Sequence, residues 1–242
     1  MARTAVVTGS ASGIGRAITD LLRRRGERVI GVDLGNADVT ADLASAEGCA
    51  AMADAVAALA PDGVDAVIAN AGVLQPDALC LAVNYHGAIR TLDGLRPLLA
   101  RSPAPRAVVT ASLAVAVGAP SGLGEAVDRG EEVGDRLDGT GYAVSKRAIG
   151  HWVRRVAPEW ARAGILLNAV CPGLVETPMQ AASMENPQVP AMIAAIPMGR
   201  IARACELAEL FAFLASEANS YMSGQLVFAD GGLEAAMRPA LC

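Results

Sequence analysis

Residues 8–15 read TGSASGIG, from Thr8 to Gly15, and this stretch decides the fold. The run before it, TAVVT (4–8), is short, apolar and β-branched, as a buried strand would be. After it, Ile14, Ala17, Ile18, Leu21 and Leu22 recur at helical spacing. Gly9, Gly13 and Gly15 therefore lie where a strand turns into a helix. Glycines at such a turn let backbone amides approach a pyrophosphate at the helix N-terminus. The spacing is G-x-x-x-G-x-G rather than the commoner G-x-G-x-x-G. Taken alone, the stretch also fits a plain strand-to-helix turn.

Working outward, Gly26 stops the first helix and RVIGVD (28–33) is the next strand. It ends in Asp33, 18 residues after Gly15. A carboxylate at the end of the second strand accepts from adenosine ribose hydroxyls and repels a 2′-phosphate. Leu34, Gly35 and Asn36 bring no cation to welcome that phosphate, so the pattern favours NAD over NADP. The other reading of Asp33 is a solvated acid in a turn.

The rest of the chain keeps the alternation. Helices are expected over about 46–60, 78–100 (broken late by Pro97), 141–163 and 206–216. Strands are expected at DAVIANAG (65–72), RAVVTAS (106–112), ILLNAV (165–170) and GQLVFADGG (224–232). Strands alternating with helices predict parallel βαβ units, and continuously apolar strands predict a sheet covered on both faces. The fold class is α/β: a single Rossmann-type, doubly wound domain of about seven parallel strands, without linker or internal repeat. An insert at 118–139 and a Met-, Ala- and Pro-rich stretch at 174–200 break the rhythm. Both follow strand ends, the natural place for the walls and lids of a site.

Composition narrows the function. The 242 residues carry a net charge of −5 with both signs interspersed, which argues against nucleic acid as a partner. Residues are 53% apolar, much of it alanine, yet no uncharged apolar run is long enough to span a membrane. The N-terminus enters a strand at once, leaving no room for a signal peptide, so a cytoplasmic protein is expected. Five scattered cysteines and two histidines form no disulfide or zinc pattern; no metal is expected, and the thiols read as buried apolar groups. His86 and His151 read as packing or surface residues. Trp152 and Trp160 read as core or subunit-interface residues.

Among 20 basic residues Lys146 is the single lysine, inside TGYAVSKR (140–147). Arginine presents a fixed planar fork, whereas lysine is a compact ammonium that can reach a ribose and act on a nearby phenol. Tyr142 stands four residues earlier, on the same helical face.

With the glycine turn, NAG (70–72) and YAVSK (142–146), the chain resembles the short-chain dehydrogenase/reductases over nearly its full length. The resemblance implies a cofactor site of Gly9, Ser12, Gly13, Ile14 and Gly15 at the pyrophosphate and Asp33 at the ribose. It further implies Asp42 and Leu43 at the adenine, with Asn70, Ala71 and Gly72 beside the ribose. Pro172, Gly173, Val175 and Thr177 would lie over the nicotinamide, and Tyr142 and Lys146 beside it. The implied catalytic set is Asn84, Ser112, Tyr142 and Lys146, with Asn84 holding a water that links Lys146 to solvent. Tyr142 would be acid and base, its anion favoured by the Lys146 ammonium and the oxidised nicotinamide, and Ser112 would bind the substrate oxygen.

GVDLGNADVTADL, PMGR (197–200) and DGGLEAAMRP resemble more closely the bacterial 3α-hydroxysteroid dehydrogenase/carbonyl reductase group. The resemblance implies an NAD-dependent enzyme interconverting a secondary alcohol and a ketone, working as a homodimer or homotetramer. Met179, Met184, Met192, Ile193, Ile196 and Met198 in 174–200 fit either a lid over a bulky apolar substrate or ordinary helix packing. The alternative function is a non-catalytic NAD-binding regulator on the same fold. Dehalogenating relatives lose the glycine turn and replace the lysine, and this chain does neither.

Overall fold

A computed structural model describes residues 2–183 and 189–240. Met184 and Cys242 lie outside the described residues. The elements in the first half are β1 (Thr4–Thr8), α1 (Gly13–Arg24), β2 (Arg28–Asp33), β3 (Val39–Thr40), α2 (Ala46–Leu59), β4 (Ala66–Ala69) and α3 (Asp77–Leu79). A π-helical stretch (Cys80–Gly87) runs on from α3 into α4 (Ala88–Leu99), followed by β5 (Arg106–Thr110). Then come α5 (Leu123–Asp128), α6 (Gly141–Arg162), β6 (Leu166–Pro172), β7 (Val175–Glu176), α7 (Pro178–Ser183) and α8 (Val189–Ala195). The last are β8 (Ala202–Arg203), α9 (Ala204–Ala215), β9 (Leu226–Ala229) and α10 (Leu233–Met237).

Seven strands form one parallel sheet in the order β3-β2-β1-β4-β5-β6-β9. The order reverses between β1 and β4, and a crevice opens beyond their carboxyl ends, where this class of sheet binds ligands. Alternate residues feed opposite faces. Val6 packs with Met52 of α2, Leu92 and Leu95 of α4 and Ile149 of α6. Its neighbours Ala5 and Val7 pack with Ile18 and Leu22 of α1 and Phe211 of α9. Full burial of a Leu or Phe contributes roughly 1.5–3 kcal/mol, which is why both strand faces are apolar.

Two expectations need correction, and one strand goes beyond the sequence reading. The helix over 78–100 is not broken at Pro97, which lies inside α4. The hydrogen bond that proline cannot make would fall on the Asp93 carbonyl, and both residues are exposed to solvent, while Leu98 and Leu99 pack onward. The seventh strand is the two-residue β3, too short to show a period. The insert at 118–139 is mostly not a lid. Its residues Leu123, Ala126, Val127, Val133 and Leu137 are buried in the main core, and Glu125 pairs with Arg147 and His151 of α6. Only its first residue, Gly118, reaches the crevice.

Trp152 and Trp160 are core residues, edge to face with ring centres 6.0 Å apart. Cys49, Cys80 and Cys171 are buried as expected; Cys205, at the start of α9, is exposed instead. Among the described residues no helix is long and apolar enough to cross a membrane.

Candidate active site

The glycine turn closes one end of the crevice. Gly9 has φ +68°, and a Cβ there would lie 3.0 Å from both Ala71 Cα and Asn70 Nδ2. A Cβ on Gly15 would fall 2.0 Å from the Gly9 carbonyl oxygen, so only glycine lets α1 start this close to β1. Among the described residues the Ser12 side chain makes no capping bond. The opening amides of α1 thus face the crevice, which Ser12, Gly13 and Ile14 line. Open amides, the positive end of a helix and a cradle cleared of Cβ atoms fit the pyrophosphate of a dinucleotide.

Behind the turn runs a polar chain. The Thr8 hydroxyl accepts from the amides of Asn70 and Ala71, both at 3.0 Å. Asn70 Nδ2 donates to the Thr8 carbonyl at 3.2 Å, and the Thr110 hydroxyl donates to Asn70 Oδ1 at 3.1 Å. The Thr110 carbonyl accepts from Lys146 Nζ at 2.8 Å. One continuous set of bonds thus ties the lysine of α6 to the carboxyl end of β1. Thr8 and Thr110 were not picked out from sequence. Thr110 engages Lys146 through its main chain, which no side-chain pattern marks.

The other wall carries Ser112, Tyr142 and Lys146, and all three line the same cavity of about 490 Å³. Ser112 follows β5, and its Oγ accepts from the Ala114 amide at 3.2 Å, capping a short 3₁₀ turn. Lys146 is 3% exposed, and its Nζ lies 5.8 Å from the Tyr142 ring centroid. Burial pushes the Lys146 amine down to about 8. Burial pushes the Tyr142 phenol up, while hydrogen bonding by Ser112 acts the other way. In the cofactor-free protein burial outweighs the Ser112 hydrogen bond.

Asn84 sits in the π-helical stretch and is 1% exposed. Its Oδ1 accepts from the Val73 amide at 2.7 Å, and its Nδ2 donates to the Val73 carbonyl at 2.9 Å. The side chain is therefore joined to backbone. Gly72 brings it near Lys146: a Cβ there would lie 3.1 Å from Asn84 Oδ1 and 3.5 Å from Lys146 Nζ.

Asn70, Ala71, Gly72, Pro172, Gly173, Val175 and Thr177 all line the cavity. Asp33 lies outside that lining, behind the turn, where its Oδ2 accepts from the Ala11 amide at 2.9 Å. Asp42 and Leu43 are not brought to the cavity. The Asp42 carboxylate accepts from the Ala44 amide at 2.9 Å, and Leu43 is buried in the main core. From 174–200, Met179 and Met192 line the cavity with Leu174, Pro178 and Val189. Ile196 is buried against Leu113 and Leu233, Met198 is exposed and Ile193 lies off the cavity. Leu74 and Val117 complete an apolar wall that sequence patterning did not single out.

Residues 9–234 match the family model described as enoyl-(acyl carrier protein) reductase. The chain is 38% identical to the 3-alpha-hydroxysteroid dehydrogenase/carbonyl reductase of Comamonas testosteroni, with 97% of each chain covered. It is 34% identical to the cis-4-hydroxycyclohexanecarboxylate dehydrogenase of Sinomonas cyclohexanicum, covering 96% of this chain and 97% of that one. The crystal structure of the 3-alpha-hydroxysteroid dehydrogenase of Pseudomonas sp. B-0831 complexed with NADH superimposes with a TM-score of 0.89. That match has 35% identity and covers 99% of this chain and 100% of the other. With this glycine turn, this parallel sheet and these relatives, the chain belongs to the short-chain dehydrogenase/reductase family of oxidoreductases.

Proposed function

We propose that the protein is an NAD-dependent dehydrogenase that interconverts a bulky, apolar secondary alcohol, such as a hydroxysteroid or an aryl carbinol, and its ketone. One observation carries this reading: Ser112, Tyr142 and Lys146 share a cavity with the glycine turn, beneath an apolar wall that includes Met179 and Met192. Flexible thioether chains suit a bulky apolar ligand. The acid at Asp33, with no cation after it, supports NAD over NADP. The relative solved with NADH supports the same choice, and the relatives named for 3-alpha-hydroxysteroid and cis-4-hydroxycyclohexanecarboxylate support a secondary alcohol on a ring.

Bound NAD supplies the hydride acceptor, and NADH the donor. As the phenolate, Tyr142 Oη would take the alcohol's hydroxyl proton during oxidation, and as the phenol it would return it during reduction. Ser112 Oγ donates to the substrate oxygen and steadies the charge that builds there. Lys146, seated beside the Tyr142 ring, offers the positive charge that the phenolate needs. Gly9, Ser12, Gly13, Ile14 and Gly15 hold the pyrophosphate, with Asp33 on the ribose and Asp42 and Leu43 toward the adenine. Asn70, Ala71 and Gly72 flank the ribose, Pro172, Gly173, Val175 and Thr177 cover the nicotinamide, and Asn84 completes the catalytic set. The protein works in the cytoplasm as a homodimer or homotetramer.

The test is spectrophotometric. Purified protein receives NAD or NADP with a panel of 3α-hydroxysteroids, aryl carbinols and small polar secondary alcohols. The proposal expects turnover with NAD and an apolar alcohol. NAD binding without turnover across the panel would favour the regulator.

A further inference from the structure

Ser145 lies between Tyr142 and Lys146 in sequence and points away from the cavity those two line. It is fully buried, with 0% exposure. Its hydroxyl donates to the Tyr142 carbonyl at 2.7 Å. That carbonyl is also the one the helical ladder pairs with the Lys146 amide. Having spent its only proton there, the Ser145 oxygen can act only as an acceptor. It accepts from Asn84 Nδ2 at 3.1 Å.

Together with the amide and carbonyl of Val73, Ser145 fixes how the Asn84 amide sits. Its two N–H groups go to the Val73 carbonyl and to Ser145, and its oxygen faces the Val73 amide and Gly72. Across the gap left by Gly72 lies the Lys146 ammonium. An acceptor on that side favours the ammonium, whereas a reversed amide would set its own donors against it. Ser145 is thus hydrogen-bonded on one side to the backbone of the Tyr142–Lys146 turn and on the other to the side chain aimed at the space beside Lys146.

We propose that Ser145 is a positioning residue: it orients the Asn84 amide so that its oxygen faces Lys146, and locks the π-helical stretch to α6 at that point. It touches neither substrate nor cofactor and acts through Asn84. The inference rests on the reading of Tyr142 and Lys146 as the acid–base pair, but one of its tests does not.

That test uses the single lysine of the chain. Protein labelled with ¹³C at lysine Cε gives one lysine resonance, whose titration reports Lys146 without any turnover. In Ser145→Ala the midpoint is expected to fall by roughly half a unit as the acceptor facing the ammonium is loosened. An unchanged or raised midpoint in a folded Ser145→Ala protein would overturn the proposal, whether or not the wild type turns over an alcohol. Should that variant fail to fold, Ser145→Cys, which keeps the volume with a weak hydrogen-bonding group, is titrated with the same two outcomes.

The kinetic test is a double-mutant cycle. Ser145→Ala is expected to lower kcat about tenfold, the worth of one buried hydrogen bond, with KM for NAD unchanged. In an Asn84→Ala background the same change should cost nothing further, because the two residues act as one unit. Equal losses in both backgrounds would mean that Ser145 does not act through Asn84. No turnover from the wild type, together with a shifted Lys146 midpoint, would contradict the proposed function and leave the positioning role standing.

Discussion

Lys146 Nζ stands 5.8 Å from the centre of the Tyr142 ring and directs a hydrogen bond to the Thr110 carbonyl at 2.8 Å. The ammonium is held beside the phenol by a backbone oxygen, in a place where water hardly reaches it. The first prediction is direct. The single lysine resonance of the cofactor-free protein should titrate with a midpoint near 8, well below the ordinary 10.5. A midpoint at the ordinary value would mean that Lys146 is solvated.

The same burial affects folding. Below about 8 the folded chain holds a charged, desolvated amine, and that cost is fully present. Between that value and the ordinary 10.5 the unfolded chain binds the proton and the folded chain does not, so the Lys146 contribution to stability rises with pH. The full change is roughly 3 kcal/mol. Cys80 and Cys171, pushed by burial to about 11 and about 12, work in the opposite direction over much of the same range. The informative quantity is therefore a difference. Urea titrations of wild type and Lys146→Met should show the variant ahead at neutral pH, with its lead shrinking as pH rises toward 10.5.

Gly15 tests the cradle. Alanine would put its Cβ 2.0 Å from the Gly9 carbonyl oxygen, a backbone atom that cannot step aside cheaply. Gly15→Ala should cost about 1–3 kcal/mol of stability from overpacking. It should also weaken NAD binding by tenfold or more, read by calorimetry, because the open amides of α1 would be displaced. Unchanged affinity would move the pyrophosphate elsewhere.

Asp33 tests the cofactor choice. Its Oδ2 accepts from the Ala11 amide, and its carboxylate also repels any phosphate placed nearby. Asp33→Ala should lower kcat/KM for NAD and raise it for NADP, shrinking the preference by about a hundredfold or more, as expected when a charge opposed to a phosphate is removed. A preference that stays constant would show that selection lies in other residues.

Much of this was legible in the sequence, for a physical reason. Strands covered on both faces must be continuously apolar, so TAVVT, RVIGVD and RAVVT announce themselves. The glycine turn was legible because its geometry excludes Cβ atoms. What escaped was held by backbone or by tertiary partners. β3 is two residues long and exists only by pairing with β2. The π-helical stretch around Asn84 has no signature in residue type. The apolar residues of the insert, spread among acids and glycines, show no period, yet they fold into the core beside α6. Nothing in the sequence marks Ser145, and only its two bonds give it a role.

The central claim is that Tyr142 moves the proton. The most direct measurement compares NADH formation by wild type and Tyr142→Phe with NAD and the best apolar secondary alcohol, after NAD binding to both has been shown equal. The account predicts a fall in kcat of roughly a hundredfold to ten-thousandfold with affinity for NAD retained, as loss of a general acid–base group requires. A variant that forms NADH at the wild-type rate would contradict it and move the proton transfer to another group in the cavity.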